Sequence, residues 1–287
     1  MRPESLGEVH TEADFKAGVR SALGSWWLQD PWPLKEVLAR RASAVLFLLA
    51  YDRRRRSKDR VCLVLSKRSG QVTQAGDLCC PGGRVNKLAD SLLAPAVSVQ
   101  QAVQSVSHGR SGRPARTAGD KSLFGSGLRL AASKAAFWMM AATALREAWE
   151  EIRLNPFNVE ILGPLPSQPL VMFEKVIFPV CGWMRRSARW RPNWEVSAMI
   201  EIPLELLLNP KAYARFRLPQ ARRHDGTTME IDFPCVVVET QSGKELLWGA
   251  TYRICRNFLK LVFGFEPPPA DSLPFVENAL LPSYLRD

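Results

Sequence analysis

The stretch that decides the fold is residues 141–154, which read AATALREAWEEIRL. On a helix with about 100° per residue, Glu147, Glu150 and Glu151 fall on one arc. A largely apolar set falls on roughly the opposite arc: Ala141, Leu145, Ala148, Trp149 and Ile152. Carboxylates this close repel one another, so the acidic face is stable mainly against water or a cation. The pattern therefore predicts a helix whose acidic side is either an ordinary solvated surface or a site for Mg²⁺ or Mn²⁺.

The glycine turn Pro81-Gly82-Gly83 comes almost sixty residues before this helix. Glycines allow positive φ and a close approach of the backbone, so amide N–H groups here can point at a phosphate or fix the turn to the helix. On its own, Pro-Gly-Gly indicates only a plain turn. Its position ahead of the acidic helix favours a shared site.

Gly83, an intervening segment and residues 146–154, REAWEEIRL, resemble the Nudix box, glycine-x5-E-x7-R-E-U-x-E-E-x-G-U with U aliphatic. Flanking segments extend the resemblance over residues 45–262 and look like the coenzyme A pyrophosphatase branch. These segments are KRS at 67–69, AGDLCCPGG at 75–83, ATALRE at 142–147, NWEV at 193–196, IPL at 202–204 and WGATYRI at 248–254. The resemblance implies Mg²⁺- or Mn²⁺-dependent hydrolysis of the diphosphate of CoA or its derivatives to 3',5'-ADP and (acyl-)4'-phosphopantetheine.

The chain departs from the family pattern inside the box. A long insertion separates the two halves, and Ala89 stands where the first acidic residue belongs, with Asp90 the nearest carboxylate. Arg153 replaces the final glycine, at a helix end where the family backbone is left-handed. An arginine adopts that backbone less readily than glycine, at a cost of about 1 kcal/mol. We expect this cost to leave metal binding intact.

A second departure concerns the substrate. Gln71, Val72 and Gln74 stand where the branch usually carries a leucine, an arginine and a histidine. Another nucleoside diphosphate derivative, such as ADP-ribose or a dinucleoside polyphosphate, therefore stays open as the substrate. A non-catalytic nucleotide-binding module also stays open, because the box is split.

The resemblance implies roles for individual residues. The implied metal ligands are Glu147, Glu150 and Glu151. Arg146 would orient a glutamate through a salt bridge, while an exposed i,i+4 pairing with Glu150 is the plainer alternative. The catalytic base is either Glu151 or Glu195, which the sequence does not separate. The implied substrate-binding residues are Arg68, Gly82 and Gly83, although a solvated charge is an equal alternative for Arg68.

Short β-rich segments and two further helices surround the box. Strands are predicted at 42–50, 61–66, 159–163, 175–183, 199–202, 231–239 and 245–248, and helices at 203–208 and 251–262. This order indicates an α/β (α+β) fold with a mixed β-sheet flanked by helices, which the resemblance sharpens to the Nudix α/β/α sandwich. We divide the chain into an N-terminal helical extension (1–40), a Nudix domain (41–265) and an irregular tail (266–287). The domain contains a basic insertion (91–135), with helical parts at 94–106 and 128–140.

Composition narrows the partners. The net charge of +11 favours anionic partners in general and fits both a nucleotide and a nucleic acid, but no nucleic-acid-binding motif accompanies it. Six cysteines without a C-x-x-C pair indicate neither a zinc site nor a disulfide framework. The longest apolar run, residues 42–50, is too short to span a membrane, and no targeting segment is evident. We therefore expect a cytoplasmic protein without a membrane or nucleic-acid partner; a homodimer is compatible with the sequence.

Overall fold

The computed structural model describes residues 11–37, 42–52, 60–106, 123–170, 175–222, 228–241 and 243–277. The centre of the predicted insertion and the last ten residues of the predicted tail lie outside these ranges. The helices are α1 (Glu12–Gln29), α2 (Leu34–Val37), α3 (Lys87–Val106), α4 (Leu123–Ile152), α5 (Leu204–Leu207) and α6 (Gly249–Phe263). The strands are β1 (Ala42–Asp52), β2 (Arg60–Arg68), β3 (Leu78–Cys79), β4 (Gly82–Arg84), β5 (Val159–Pro164), β6 (Gln168–Leu170), β7 (Lys175–Met184), β8 (Val196–Pro203), β9 (Tyr213–Arg222), β10 (Thr228–Thr240) and β11 (Gly243–Leu247).

β1 is buried on both sides of the large sheet. Ala44, Leu46 and Leu48 belong to the core that contains α4, and Phe47 and Leu49 belong to the core that contains α1 and α6. All five side chains are fully buried. This alternation follows from the two-residue period of a strand, and it requires a helical layer on each face.

The large sheet is mixed. Its main strand order is β3-β2-β1-β7-β5, while β4 also pairs with β1, β6 with β7 and β8 with β2. β1 and β7 are parallel, and the other pairs are antiparallel. α1 and α6 pack on one face, and α3 and α4 pack on the other. The predicted α/β (α+β) sandwich with a mixed β-sheet is therefore confirmed.

The N-terminal helix contributes directly to one of these cores. Phe15, Val19 and Leu23 of α1 are fully buried among residues of the sheet and of α6. Farther along, the indole Nε1 of Trp32 donates to the Leu165 carbonyl at 2.8 Å. These contacts fix residues 11–37 against the sheet.

The predicted insertion contains more helix than its composition indicated. Helical parts were expected at 94–106 and 128–140, whereas α3 begins at Lys87 and α4 at Leu123. α4 then continues through the acidic stretch to Ile152, for 30 residues in all. Alanine and leucine have high helix propensity and outweigh the scattered glycine and serine residues in both segments. The acidic stretch is thus the end of a long helix.

A second sheet consists of three antiparallel strands in the order β11-β10-β9. The predicted strands at 231–239 and 245–248 correspond to β10 and β11, which pair antiparallel, and Ser242 between them is outside the described residues. β9 was not predicted, because its charged residues and its proline mask the alternation of a strand. In the predicted tail, Phe275 forms an isolated bridge with Arg215 of β9. None of the helices in the described part of the chain is long and apolar enough to span a membrane.

Candidate active site

The last turns of α4 carry the acidic residues on the side that faces away from the core. Ala148 and Ile152 are fully buried against the sheet, Glu147 and Glu151 are partly buried, and Glu150 is exposed. The helical arc predicted from the sequence therefore places the three glutamates together on one side. Trp149 was wrongly assigned to the apolar arc, since its side chain is 44 % exposed. Trp149 lies at the edge of the apolar arc, where a small rotation of the helix moves a side chain from the core into solvent.

Two glycines on β4 lie beneath two of these glutamates. β4 pairs with β1, with Gly82 opposite Val45. The Gly82 N–H donates to Oε2 of Glu151 at 3.2 Å. A Cβ atom on Gly83 would lie 2.5 Å from Cδ of Glu147, so any side chain there would displace that carboxylate. Gly82 and Gly83 thus allow α4 to approach the sheet, and their predicted contact with substrate stays a prediction.

Arg146 holds several carboxylates at once. Its Nε and Nη2 donate to Oδ1 and Oδ2 of Asp90 at 2.8 and 3.2 Å, and its Nη1 donates to Glu147 at 2.9 Å and to Glu150 at 3.2 Å. Nη2 also donates to the Arg84 carbonyl at 3.1 Å. The Asp90 hydrogen bond raises the pKa of Arg146 further above its ordinary value, so the guanidinium stays charged. Arg146 can therefore fix the orientation of two glutamates from behind the acidic face.

Asp90 belongs to the candidate site, although the sequence alone assigned it no role. Its side chain is fully buried, and it also accepts hydrogen bonds from Thr143 Oγ1 and from the Asn86 N–H, both at 2.7 Å. It links the start of α3 to α4 across the long insertion. Its position in the sequence could have indicated this role, because Asp90 directly follows Ala89, which stands where the box carries its first acidic residue.

The acidic face is electrostatically unfavourable without a cation. Burial raises the pKa of Glu151 to about 8; the hydrogen bond from Gly82 opposes this shift, and the nearby carboxylates of Glu147 and Glu195 add to it. Burial also raises the pKa of Glu147, against the opposing effect of Arg146. Within the described ranges, no three His, Cys, Asp or Glu side chains already converge as a set of metal ligands. The oxygens of Glu147 and Glu150 are instead turned towards Arg146.

Glu195 and Arg68 come to the same place from other elements. Glu195 precedes β8 and affects the pKa of Glu151, and Asn193 Nδ2 donates to its Oε2 at 3.4 Å. The Asn193 N–H donates to the Glu151 carbonyl at 2.7 Å, which attaches this loop to α4. Arg68, at the end of β2, donates from Nε to the Thr73 carbonyl at 2.8 Å, and its charge lowers the pKa of Glu151. The fold thus brings Glu195 and Arg68, like Gly82 and Gly83, close to the last turns of α4.

The helix end at Arg153 has the predicted backbone. Arg153 has φ of 56°, in the left-handed region. Its N–H donates to the Trp149 carbonyl at 3.0 Å, and the Leu154 N–H donates to the Ala148 carbonyl at 3.3 Å. The prediction of a left-handed helix end occupied by arginine is confirmed, and the guanidinium Cζ lies 5.6 Å from the centre of the Trp149 ring.

Comparisons with known proteins find sequence relatives among the Nudix hydrolases. No protein-family model matches the chain. It is 36 % identical over 151 residues to the peroxisomal coenzyme A diphosphatase NUDT7 of Mus musculus, covering 50 % of this chain and 59 % of that protein. It is also 44 % identical over 64 residues to the uncharacterized Nudix hydrolase NudL of Pectobacterium atrosepticum, covering 22 % and 33 %. The NudL protein of Salmonella newport is 33 % identical over 129 residues, covering 45 % and 61 %.

The chain is similar in sequence to Nudix hydrolases over as much as half of its own length. It spans less than two thirds of the length of these curated relatives. Among solved structures, it overlaps with the Nudix hydrolase RenU of M. smegmatis at 12 % identity and a TM-score of 0.32, covering 57 % of this chain and 71 % of that one. A structural similarity this low carries no weight, and the similarity to Nudix hydrolases rests on the sequence relatives.

Proposed function

We propose that this protein is a Nudix pyrophosphohydrolase that uses Mg²⁺ or Mn²⁺ to cleave the diphosphate bond of CoA or a CoA derivative. The products would be 3',5'-ADP and (acyl-)4'-phosphopantetheine. The observation that carries the proposal is the pair of partly buried carboxylates Glu147 and Glu151, which lie against Gly83 and Gly82 with the charge of Glu195 nearby. The choice of CoA is supported by the mouse relative, which is named a coenzyme A diphosphatase.

The residues at the site fit a hard divalent cation. Glu147, Glu150 and Glu151 offer carboxylate oxygens, the ligands that Mg²⁺ and Mn²⁺ prefer. The raised pKa values of Glu147 and Glu151 support this choice, because a cation would stabilise their charged forms. When bound, the ion would neutralise charge on the phosphates and lower the pKa of a bound water.

The protein's own groups would then position the reactants and move one proton. Glu151 or Glu195 accepts a proton from the attacking water, whose oxygen forms a bond to phosphorus as the bond to the bridging oxygen breaks. Arg146, fixed by Asp90, keeps Glu147 and Glu150 in place. Arg68 contributes positive charge on the side where phosphate would lie.

A second candidate substrate is another nucleoside diphosphate derivative, such as ADP-ribose or a dinucleoside polyphosphate. The observation in its favour is the replacement of the branch's usual residues by Gln71, Val72 and Gln74. Gln74 also has φ of 58°, a left-handed backbone rare for glutamine, in the turn that follows Arg68. A non-catalytic nucleotide-binding role is the third candidate. The expected cytoplasmic location and a homodimer are further proposals, to be checked by imaging the tagged protein and by light scattering.

A substrate panel tests the proposal. The purified chain is incubated with CoA, an acyl-CoA, ADP-ribose and a dinucleoside polyphosphate, with Mg²⁺, with Mn²⁺ and with chelator, and the products are separated by chromatography. We expect metal-dependent release of 3',5'-ADP, strongest with CoA or acyl-CoA. Glu150→Gln should remove most of this activity, whereas Glu266→Gln, at an exposed glutamate paired with Lys260, should retain it.

Three outcomes contradict parts of the proposal. Wild-type turnover by Glu150→Gln would overturn the site assignment. A clear preference for ADP-ribose or the dinucleotide would overturn the choice of CoA. Tight nucleotide binding without turnover on any substrate would indicate the non-catalytic role.

A further inference from the structure

The loop between β7 and β8, residues 185–195, combines positive charge with an exposed aromatic side chain. Three of its arginines have exposed side chains: Arg186, Arg189 and Arg191. In the described part of the chain, none of these three guanidinium groups forms an ion pair with a carboxylate. Trp194 is 63 % exposed. We refer to Arg189, Arg191 and Trp194 as the basic-aromatic loop.

Backbone hydrogen bonds hold this loop against the end of α4. The Arg191 N–H donates to the Ile152 carbonyl at 3.3 Å, and the Asn193 N–H donates to the Glu151 carbonyl at 2.7 Å. The Ser69 N–H donates to the Glu195 carbonyl at 2.8 Å. Trp194 is therefore next in sequence to two residues that are bonded to the site. Trp194 is therefore exposed even though hydrogen bonds fix the backbone on either side of it.

The stability of the fold can explain why arginines stand in this loop, but it does not explain why the Trp194 side chain is exposed. Positive charge near the C-terminal end of a helix interacts favourably with the helix dipole, and α4 ends at Ile152 beside this loop. An exposed indole gains nothing from that dipole and leaves a large apolar surface in water. An exposed aromatic ring and exposed guanidinium groups in the same loop match a ligand that has both an aromatic ring and a phosphate, since bases stack on aromatic side chains and arginines bind phosphates.

We propose that the basic-aromatic loop binds the nucleotide end of the substrate, with Trp194 stacking on the purine base and Arg189 and Arg191 binding a phosphate outside the scissile diphosphate. This inference rests on the proposed function for its substrate, a 3'-phosphorylated adenosine diphosphate derivative. It assigns the loop a part in specificity: the phosphate that distinguishes CoA from dephospho-CoA would be read by the two arginines.

Equilibrium binding tests the proposal independently of turnover. Calorimetry with 3',5'-ADP and with 5'-AMP is carried out on the full chain with EDTA present. Trp194→Ala should raise Kd about tenfold for both nucleotides, and Trp194→Phe should keep most of the affinity. The double variant Arg189→Ala/Arg191→Ala should raise Kd about tenfold or more for 3',5'-ADP and much less for 5'-AMP. Phe157→Ala, at a 67 % exposed aromatic outside the loop, and Lys211→Ala, at an exposed cation elsewhere, are the matched controls.

Kinetics then separate this inference from the proposed function. If CoA is hydrolysed, Trp194→Ala should raise KM and leave kcat within about twofold, and the arginine variant should lose the preference for CoA over dephospho-CoA. Unchanged Kd and KM in both variants would overturn the inference while the hydrolase assignment stands. Absence of all hydrolysis, with the predicted losses of nucleotide binding, would overturn the hydrolase assignment while the nucleotide site stands. Circular dichroism identifies any variant that is unfolded, and Trp194→Phe with Arg189→Lys/Arg191→Lys then repeats the test.

Discussion

Two partly buried glutamates, Glu160 and Glu151, have opposite surroundings. Glu160 of β5 accepts hydrogen bonds from Lys16 Nζ at 2.9 Å and Arg20 Nη2 at 2.7 Å, both on α1. Burial alone would raise its pKa, but the two cations outweigh burial and lower the pKa to about 2. Glu151 of α4 accepts only the Gly82 N–H within the described residues, and burial raises its pKa to about 8.

Glu160 is neutralised within the fold, whereas we propose that Glu151 is held for a bound cation. The chain neutralises Glu160 with its own cations and so ties α1 to the sheet. Beside Glu151 it places two further carboxylates, Glu147 and Glu195, while Arg146 bonds Glu147 and Glu150. A carboxylate whose pKa is raised by burial and by neighbouring carboxylates is a candidate functional group, which supports the proposed metal site.

Removing the charge of Glu151 should have the largest effect, and on activity. We expect Glu151→Gln to reduce metal-dependent hydrolysis roughly 100-fold or more, because it removes a metal ligand and a candidate base. Its thermal stability in EDTA should be equal to or higher than that of the wild type, since the substitution removes a charge that burial disfavours. Turnover assays and thermal denaturation in EDTA measure the two effects. A Glu151→Gln variant that is less stable than the wild type but keeps its specific activity would contradict the assignment of Glu151 to the active site.

Removing the charge of Glu160 should affect stability alone. We expect Glu160→Gln to lower the free energy of unfolding by about 2–3 kcal/mol near neutral pH, because Lys16 and Arg20 lose their shared partner. Specific activity below the melting temperature should stay at the wild-type level. Urea denaturation and turnover at 20–25 °C check both statements.

The pH dependence of that difference has a fixed sign. The folded-state pKa of Glu160 is depressed, so its contribution is fully present above the unfolded-state value of about 4.5 and is lost as pH falls towards about 2. The stability difference between wild type and Glu160→Gln should therefore shrink across this window. A difference that stayed constant from pH 6 to pH 3 would show that packing, rather than charge, accounts for the loss.

The smallest expected effect is on stability and comes from the backbone at the end of α4. Arg153→Gly should raise stability by up to about 1 kcal/mol, because glycine adopts the left-handed conformation without the steric cost of a side chain. Arg153→Ala is the matched control: it removes the contact with Trp149 and keeps the backbone cost, so it should give no gain. Equal stability of the two variants would indicate that the left-handed backbone costs little here.

Much of the fold was accessible from the sequence because its signals are local. Short apolar runs located β1, β2, β5, β7 and β8, and the acidic arc with its glycine turn located the candidate site. Chain-specific features were harder to predict. The lengths of α3 and α4 depend on helix propensity summed across a segment that looked like a loop, and Trp149 lies at the boundary between two arcs.

The remaining features depend on contacts between distant parts of the chain. The Asp90–Arg146 pair joins residues on either side of the insertion, and the cations that neutralise Glu160 come from α1, over a hundred residues away. The close approach of Gly83 to Glu147 depends on how β4 pairs with β1. Periodicity within one segment contains no information about such pairings.

Metal binding itself tests the central claim most directly. Titration of Mn²⁺ into the wild type, Glu160→Gln and Glu151→Gln, followed by electron paramagnetic resonance of the free ion, measures site occupancy without any substrate. We predict at least one saturable site in the wild type and in Glu160→Gln, with affinity reduced at least tenfold in Glu151→Gln. Equal Mn²⁺ binding by all three proteins, or no saturable binding by the wild type, would contradict the claim that the acidic face of α4 is a metal site.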